Sequence, residues 1–98
     1  MNLGSNDCKG VIMYTKESTV KLAEGLEARS VAMFVQIASD YESDIYVEYE
    51  GKKVSAKSIM GMMCLSLAPE EKVVISAEGT DAENAVTALD NFLGGKEN

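Results

Sequence analysis

The sequence predicts an α+β fold: a four-stranded antiparallel sheet with three helices on one face, in the order β-α-β-β-α-β-α. Three observations carry that prediction. Val31, Phe34, Val35 and Ala38, and later Ala82, Ala85, Val86, Leu89, Phe92 and Leu93, recur at three- and four-residue intervals, the spacing of helices with one buried face. Asp44-Ile45-Tyr46-Val47-Glu48-Tyr49 and Lys52-Lys53-Val54-Ser55 flank Glu50-Gly51, which reads as a hairpin. Lys72-Val73-Val74-Ile75-Ser76-Ala77 is short, apolar and β-branched, the pattern of a buried strand.

Taken in order, Tyr14 to Leu22 is rich in β-branched residues and alternates towards its end, so it opens the fold as a strand leading into a turn at Glu24-Gly25. The first helix runs from about Ala28 to Ser39, and the hairpin follows. Ser58 to Leu65 is a short helix with Ser58 as its N-cap. Pro69 and the acidic pair Glu70-Glu71 break the chain before the last strand. Gly79-Thr80-Asp81 opens the final helix, Glu83 supports its N-terminus and Gly94-Gly95 stops it.

A chain of 98 residues supports one domain and one modest core, without room for two lobes around a deep cleft. Its formal charge of −7 opposes phosphate backbones and anionic lipid, so nucleic acid and membrane surfaces are poor partners; an effect on genes would act through another protein. No run of about 18 apolar residues occurs, and Met1-Asn2-Leu3-Gly4-Ser5-Asn6-Asp7 lacks the pattern of a signal peptide, so a cytoplasmic protein is expected. Cys8 and Cys64 are the only cysteines and read as reduced thiols.

Familiar catalytic and cofactor patterns are missing. The chain has no histidine and its cysteines are isolated, so zinc is not expected. Asp40-Tyr41-Glu42-Ser43-Asp44 starts like a calcium loop, but Ile45 stands at the sixth position and Gly51 at the twelfth, where glycine and glutamate belong. No glycine-rich nucleotide motif occurs. No cofactor or metal is expected, and no enzymatic activity.

The richest segment is Lys57-Ser58-Ile59-Met60-Gly61-Met62-Met63. It places a serine at a helix start, where free backbone N–H groups accommodate added negative charge, with an apolar ridge behind it. A short helix has one inward face, so part of that ridge stays near solvent, where flexible methionines suit a docking surface. The segment resembles the regulatory-serine region of the HPr family, the small phosphocarriers of the bacterial sugar phosphotransferase system, and especially its catabolite-repression, Crh-like branch. The resemblance runs from about Met13 to Phe92, which makes 13–95 an HPr-like domain, 1–12 an extension beyond the family pattern, expected to be flexible, and 96–98 a tail. It implies the family's open-faced β-sandwich, with the Glu27 and Ser58 loops near one another.

Gly25-Leu26-Glu27-Ala28-Arg29-Ser30 matches the family stretch that carries the phosphorylatable histidine, with Glu27 in place of that histidine and Ser30 in place of the family proline. A chain without histidine cannot carry phosphohistidine. The resemblance implies that Ser58 is phosphorylated by HPr kinase/phosphorylase, and that Arg29, Lys57, Ile59, Met60 and Met63 meet partners while Met62 points inward. Those partners would be a transcription regulator of the catabolite control protein A type, or metabolic enzymes. In the Crh-like branch the histidine is replaced by neutral glutamine. The carboxylate of Glu27 has two readings: an imitation of phosphohistidine that pairs with Arg29 and opposes charge at Ser58, or a plain helix-start acid favoured by the dipole. Two rival functions accompany the regulatory one: a phosphocarrier variant with Glu27 as acyl-phosphate acceptor, and an interaction domain that is never modified.

Overall fold

The computed structural model describes residues 12–22, 27–65 and 67–94. The Glu24-Gly25 turn, Leu26, Cys8, Gly95 and the 96–98 tail lie outside the described residues, as does the expected extension up to residue 11. The elements are β1 (Ile12–Thr19), α1 (Ala28–Ser39), β2 (Asp44–Tyr49), β3 (Lys52–Ser55), α2 (Ile59–Met63), β4 (Lys72–Gly79) and α3 (Ala82–Leu93). All strand pairs are antiparallel and the sheet order is β1-β4-β2-β3, so the last strand in sequence lies inside the sheet.

Helices and sheet meet through one face of each strand. Ile45 and Val47 of β2 and Val73, Ile75 and Ala77 of β4 are buried. They pack with Val31, Phe34, Val35 and Ala38 of α1, Met62 of α2 and Ala82, Ala85, Val86, Leu89 and Leu93 of α3. Phe34 and Phe92 join the two long helices with tilted rings 6.2 Å apart. Each large aliphatic side chain buried in this layer stabilises the fold by about 1.5–3 kcal/mol relative to exposure.

Three expected boundaries move. The first strand is Ile12–Thr19 rather than Tyr14 to Leu22. It starts one residue inside the expected extension, because its pairing with β4 runs from Ile12 opposite Gly79 to Thr19 opposite Lys72. Past Thr19 the backbone leaves the ladder: the Val20 amide donates to the Glu71 carbonyl and the Lys21 amide to that of Leu93. Opposite the buried Ala77, Ile75 and Val73, β1 places Tyr14, Lys16 and Ser18, of which Ser18 is buried, Tyr14 half-buried and Lys16 exposed. The buried Ser18 is tolerated because Asp90 of α3 accepts from its hydroxyl at 2.6 Å, and Asp90 also pairs with Lys16 at 3.0 Å. That bond, with the charge of Asp90, raises the Lys16 ammonium above its ordinary value. The last strand continues past Ala77 to Gly79.

The short helix is also tighter than expected, ending at Met63 rather than Leu65, with the Leu65 amide reaching back three residues to Met62. Glu70 sits at φ 73°, the left-handed region, where the chain reverses after Pro69. The neighbouring Glu71 carboxylate accepts from the Tyr49 hydroxyl at 2.7 Å and, with partial desolvation, pushes that phenol up to about 12.

Candidate functional site

The approach to Ser58 begins at the hairpin turn. Glu50 and Gly51 both take positive φ, 50° and 84°, the requirement of a tight two-residue turn whose twist matches the strands. The hairpin delivers β3 to Ser55. Ala56 is fully buried and its amide donates to the Ile45 carbonyl at 2.8 Å, one bond beyond the β2–β3 ladder. The Ser58 amide donates to the Ser55 carbonyl and the Lys57 amide to Ser55 Oγ, at 3.1 and 3.2 Å.

Ser58 is the N-cap of α2, with extended φ −109° and ψ 114°. Its Oγ accepts from the Gly61 amide at 3.1 Å, satisfying one of the free donors of the helix start. Gly61 keeps this corner close: a Cβ there would stand 3.2 Å from Val54 Cβ and 3.3 Å from Ser58 Oγ. Ser58 itself is half-buried.

Behind the serine, α2 divides its side chains as its spacing demands. Met62 is buried, whereas Ile59, Met60 and Met63 are 47, 80 and 49% exposed. The ridge therefore leaves apolar surface exposed beside a polar group. Met33, on the outward side of α1, is 50% exposed and was missed by sequence reasoning. Its signal was available: it falls between the inward positions Val31 and Phe34, where a helix turned to water takes a polar residue. Cys64 is exposed at the end of α2.

The remaining expected site residues are less alike. Arg29 is exposed on the first turn of α1. Lys57 is half-buried, and its ammonium donates to the backbone carbonyl of Tyr41 at 2.8 Å, at the exit of α1. Glu27 is the N-cap of α1, exposed and extended, with its carbonyl accepting from the Val31 amide; its carboxylate makes no capping bond. Among the described residues no ion pair joins Glu27 to Arg29, and no hydrogen bond or ion pair joins either to Ser58.

The α1–β2 loop that resembled a calcium site is held differently. Asp81, at the start of α3, accepts from the Glu42 and Ser43 amides at 3.0 Å each and from the Ser43 hydroxyl. Those bonds, the Ser43 hydroxyl's foremost, hold the Asp81 carboxyl below its ordinary value. Among the described residues no cluster of three or more metal-ligating side chains occurs, and no helix is long and apolar enough to cross a membrane.

Chemically, the Ser58 corner offers a half-buried hydroxyl placed at a helix start. It has no histidine to activate that hydroxyl. A family model described as the PTS HPr component phosphorylation site matches residues 14–94. The chain is 44% identical over 81 residues to the HPr-like protein Crh of Halalkalibacterium halodurans, covering 83% of this chain and 96% of that one. It is 43% identical over 81 residues to the HPr-like protein Crh of Bacillus subtilis, covering 83 and 95%. The crystal structure of the phosphocarrier protein HPr from Bacillus anthracis superposes with a TM-score of 0.81 at 44% identity, covering 83 and 96%.

Proposed function

Because the chain belongs to the HPr family, in the likeness of its Crh-like members, we propose that it is a regulatory protein of carbon catabolite repression, switched by phosphorylation of Ser58. HPr kinase/phosphorylase transfers phosphate to the Ser58 hydroxyl, and the modified protein docks onto a transcription regulator of the catabolite control protein A type. It works in the cytoplasm and reports carbon status rather than carrying phosphate. The observation that supports this most is the α2 corner, where a half-exposed, N-capping Ser58 adjoins exposed Ile59, Met60 and Met63.

The mechanism is electrostatic. A phosphoserine carries close to two negative charges and three strong acceptor oxygens, and a helix start tolerates them. Partner arginine or lysine would take the oxygens in charge-assisted bonds. Ile59, Met60 and Met63 would supply apolar contact, and exposed Arg29 a charge that selects for an acidic group on the partner. Incubation with HPr kinase/phosphorylase and ATP, read by intact mass and fragment mapping, should add one phosphate, on Ser58. Regulator binding should then rise for the wild type and stay at the basal level for Ser58→Ala. An active kinase that leaves the chain unmodified would favour an unmodified interaction domain.

A second reading is supported by Glu27, whose exposed carboxylate makes no capping bond. It stands where the family places a phosphorylatable histidine. As an acceptor it would form an acyl phosphate. Incubation with phosphoenolpyruvate and the first enzyme of the phosphotransferase system, followed by hydroxylamine, tests that reading; a hydroxylamine-sensitive label on Glu27 would establish it, and an unlabelled chain would end it.

A further inference from the structure

The α2 helix is five residues long, too short to sustain itself, because one turn of helix fixes several residues for few hydrogen bonds. The serine at its head is therefore placed by what surrounds it. Its own turn supplies the Ser58-to-Ser55 and Lys57-to-Ser55 bonds, both local in sequence. Apart from the Ser58 cap on α2 itself, one side-chain hydrogen bond from residues 55–58 reaches another element among the described residues: the Lys57 ammonium on the Tyr41 carbonyl at 2.8 Å.

The acceptor is a firm point. Tyr41 and Asp40 donate back to Ala38 and Ile37, closing the exit of α1, and the next two amides, Glu42 and Ser43, are fixed on Asp81. The last turn of α1 contains no basic residue of its own. Lys57 brings a cation from another element to the negative end of that helix, where a lysine both donates to late carbonyls and favours the dipole. Lys57 is half-buried, the setting in which a long side chain covers its stem while its charged end keeps a polar partner.

We infer that Lys57 is a positioning residue for Ser58: its ammonium, held on the Tyr41 carbonyl, anchors the 55–58 turn so that the Ser58 hydroxyl stays on the Gly61 amide. Its consequence for modification rests on the reading of Ser58 as the phosphorylated residue; the anchoring does not. A lysine engaged in this way is not an outward cation for a partner, and the cations that meet a phosphate on Ser58 come from the partner.

The test compares Lys57→Met, which keeps the stem and loses the donor, with Lys57→Arg, which keeps a donor. Amide exchange by NMR at Gly61 and Met62 should speed up about fivefold in Lys57→Met, the scale of one lost hydrogen bond, and return to within about twofold of wild type in Lys57→Arg. Phosphorylation by HPr kinase/phosphorylase and ATP should follow, with kcat/KM falling in the first variant and recovering in the second. Unchanged Gly61 exchange in Lys57→Met overturns the inference, and a loss of phosphorylation alongside it makes Lys57 a kinase contact. Exchange that responds to Lys57→Met in a chain the kinase never modifies upholds the anchor and overturns the reading of Ser58. Should Lys57→Met fail to fold, the wild type still decides: its Lys57 ammonium protons must exchange more slowly than those of exposed Lys52, and equal rates refute the anchor.

Discussion

Ser58 and Glu27 hold the same position on two helices, the residue just before the first helical one, and the protein treats them in opposite ways. Ser58 caps a five-residue helix with a side-chain bond, from a turn tied to β2, to its own Ser55 and to the exit of α1. Glu27 heads a twelve-residue helix and makes no capping bond. The difference follows from what secures each helix. α1 buries Val31, Phe34, Val35 and Ala38 and is held by that face, whereas α2 buries Met62 alone. A short helix needs its cap and its neighbours; a long one leaves its first residue free to vary.

The strongest way to break this contrast is to disturb the support beneath Ser58. Gly79 takes φ 157°, and a Cβ there would lie 2.8 Å from Ser43 Cα, in the loop that also presents the Tyr41 carbonyl to Lys57. Gly79→Ala should cost roughly 3 kcal/mol, combining an unfavourable backbone region with overpacking. Thermal unfolding should fall by more than about 10 °C. A melt within a few degrees of wild type would show that the loop yields freely and cannot serve as a firm anchor.

Acid attacks the same support more gently. The Asp81 carboxyl is held below its unfolded value by the Ser43 hydroxyl and the Glu42 and Ser43 amides. A depressed carboxyl contributes stability that is present above the unfolded value, near pH 4, and lost as pH falls through the folded one. Urea midpoints should therefore drop between pH 5 and pH 2 more steeply for wild type than for Asp81→Asn. Parallel curves would remove Asp81 from the support of the loop.

What the sequence made legible follows the same division. α1, β2 and β3 match their expected spans because each is written in local spacing: the four buried residues of α1, the alternation of β2, the Glu50-Gly51 turn. Met62 inward and Met60 outward came from the family resemblance, while spacing alone required only that part of the ridge face water. The first strand was harder, since the buried Ser18 finds its hydrogen-bond partner in Asp90, more than seventy residues later. The hold on Lys57 was unreadable for the same reason: its acceptor is a backbone carbonyl on another element, which no residue type announces. Met33 is legible in the sequence as an apolar residue between the inward positions of α1.

The caps themselves give the smaller effects. Ser58→Ala removes the bond to the Gly61 amide and should cost about 1 kcal/mol, the usual loss at an N-cap, measured by urea unfolding. Glu27→Gln, with no capping bond to lose, should change stability by no more than about 0.5 kcal/mol. If the two substitutions cost the same, the contrast between the two helix starts does not reach stability.

The finest test installs what Glu27 lacks. Its backbone is extended, φ −104° and ψ −174°, and its carbonyl already accepts from the Val31 amide, so the geometry of a cap is present and the side chain alone is unsuited. Glu27→Ser should therefore stabilise the protein by about 0.5 kcal/mol, the low end of the capping range, because α1 is already secured by its buried face. A gain of that size would mean that the present residue forgoes a local advantage at this position, as expected where a carboxylate is kept for what it presents outward. No gain, or a loss, would mean that Glu27 already serves the helix start through its charge, and the reading of it as a stand-in for a phosphorylated histidine would lose its physical support.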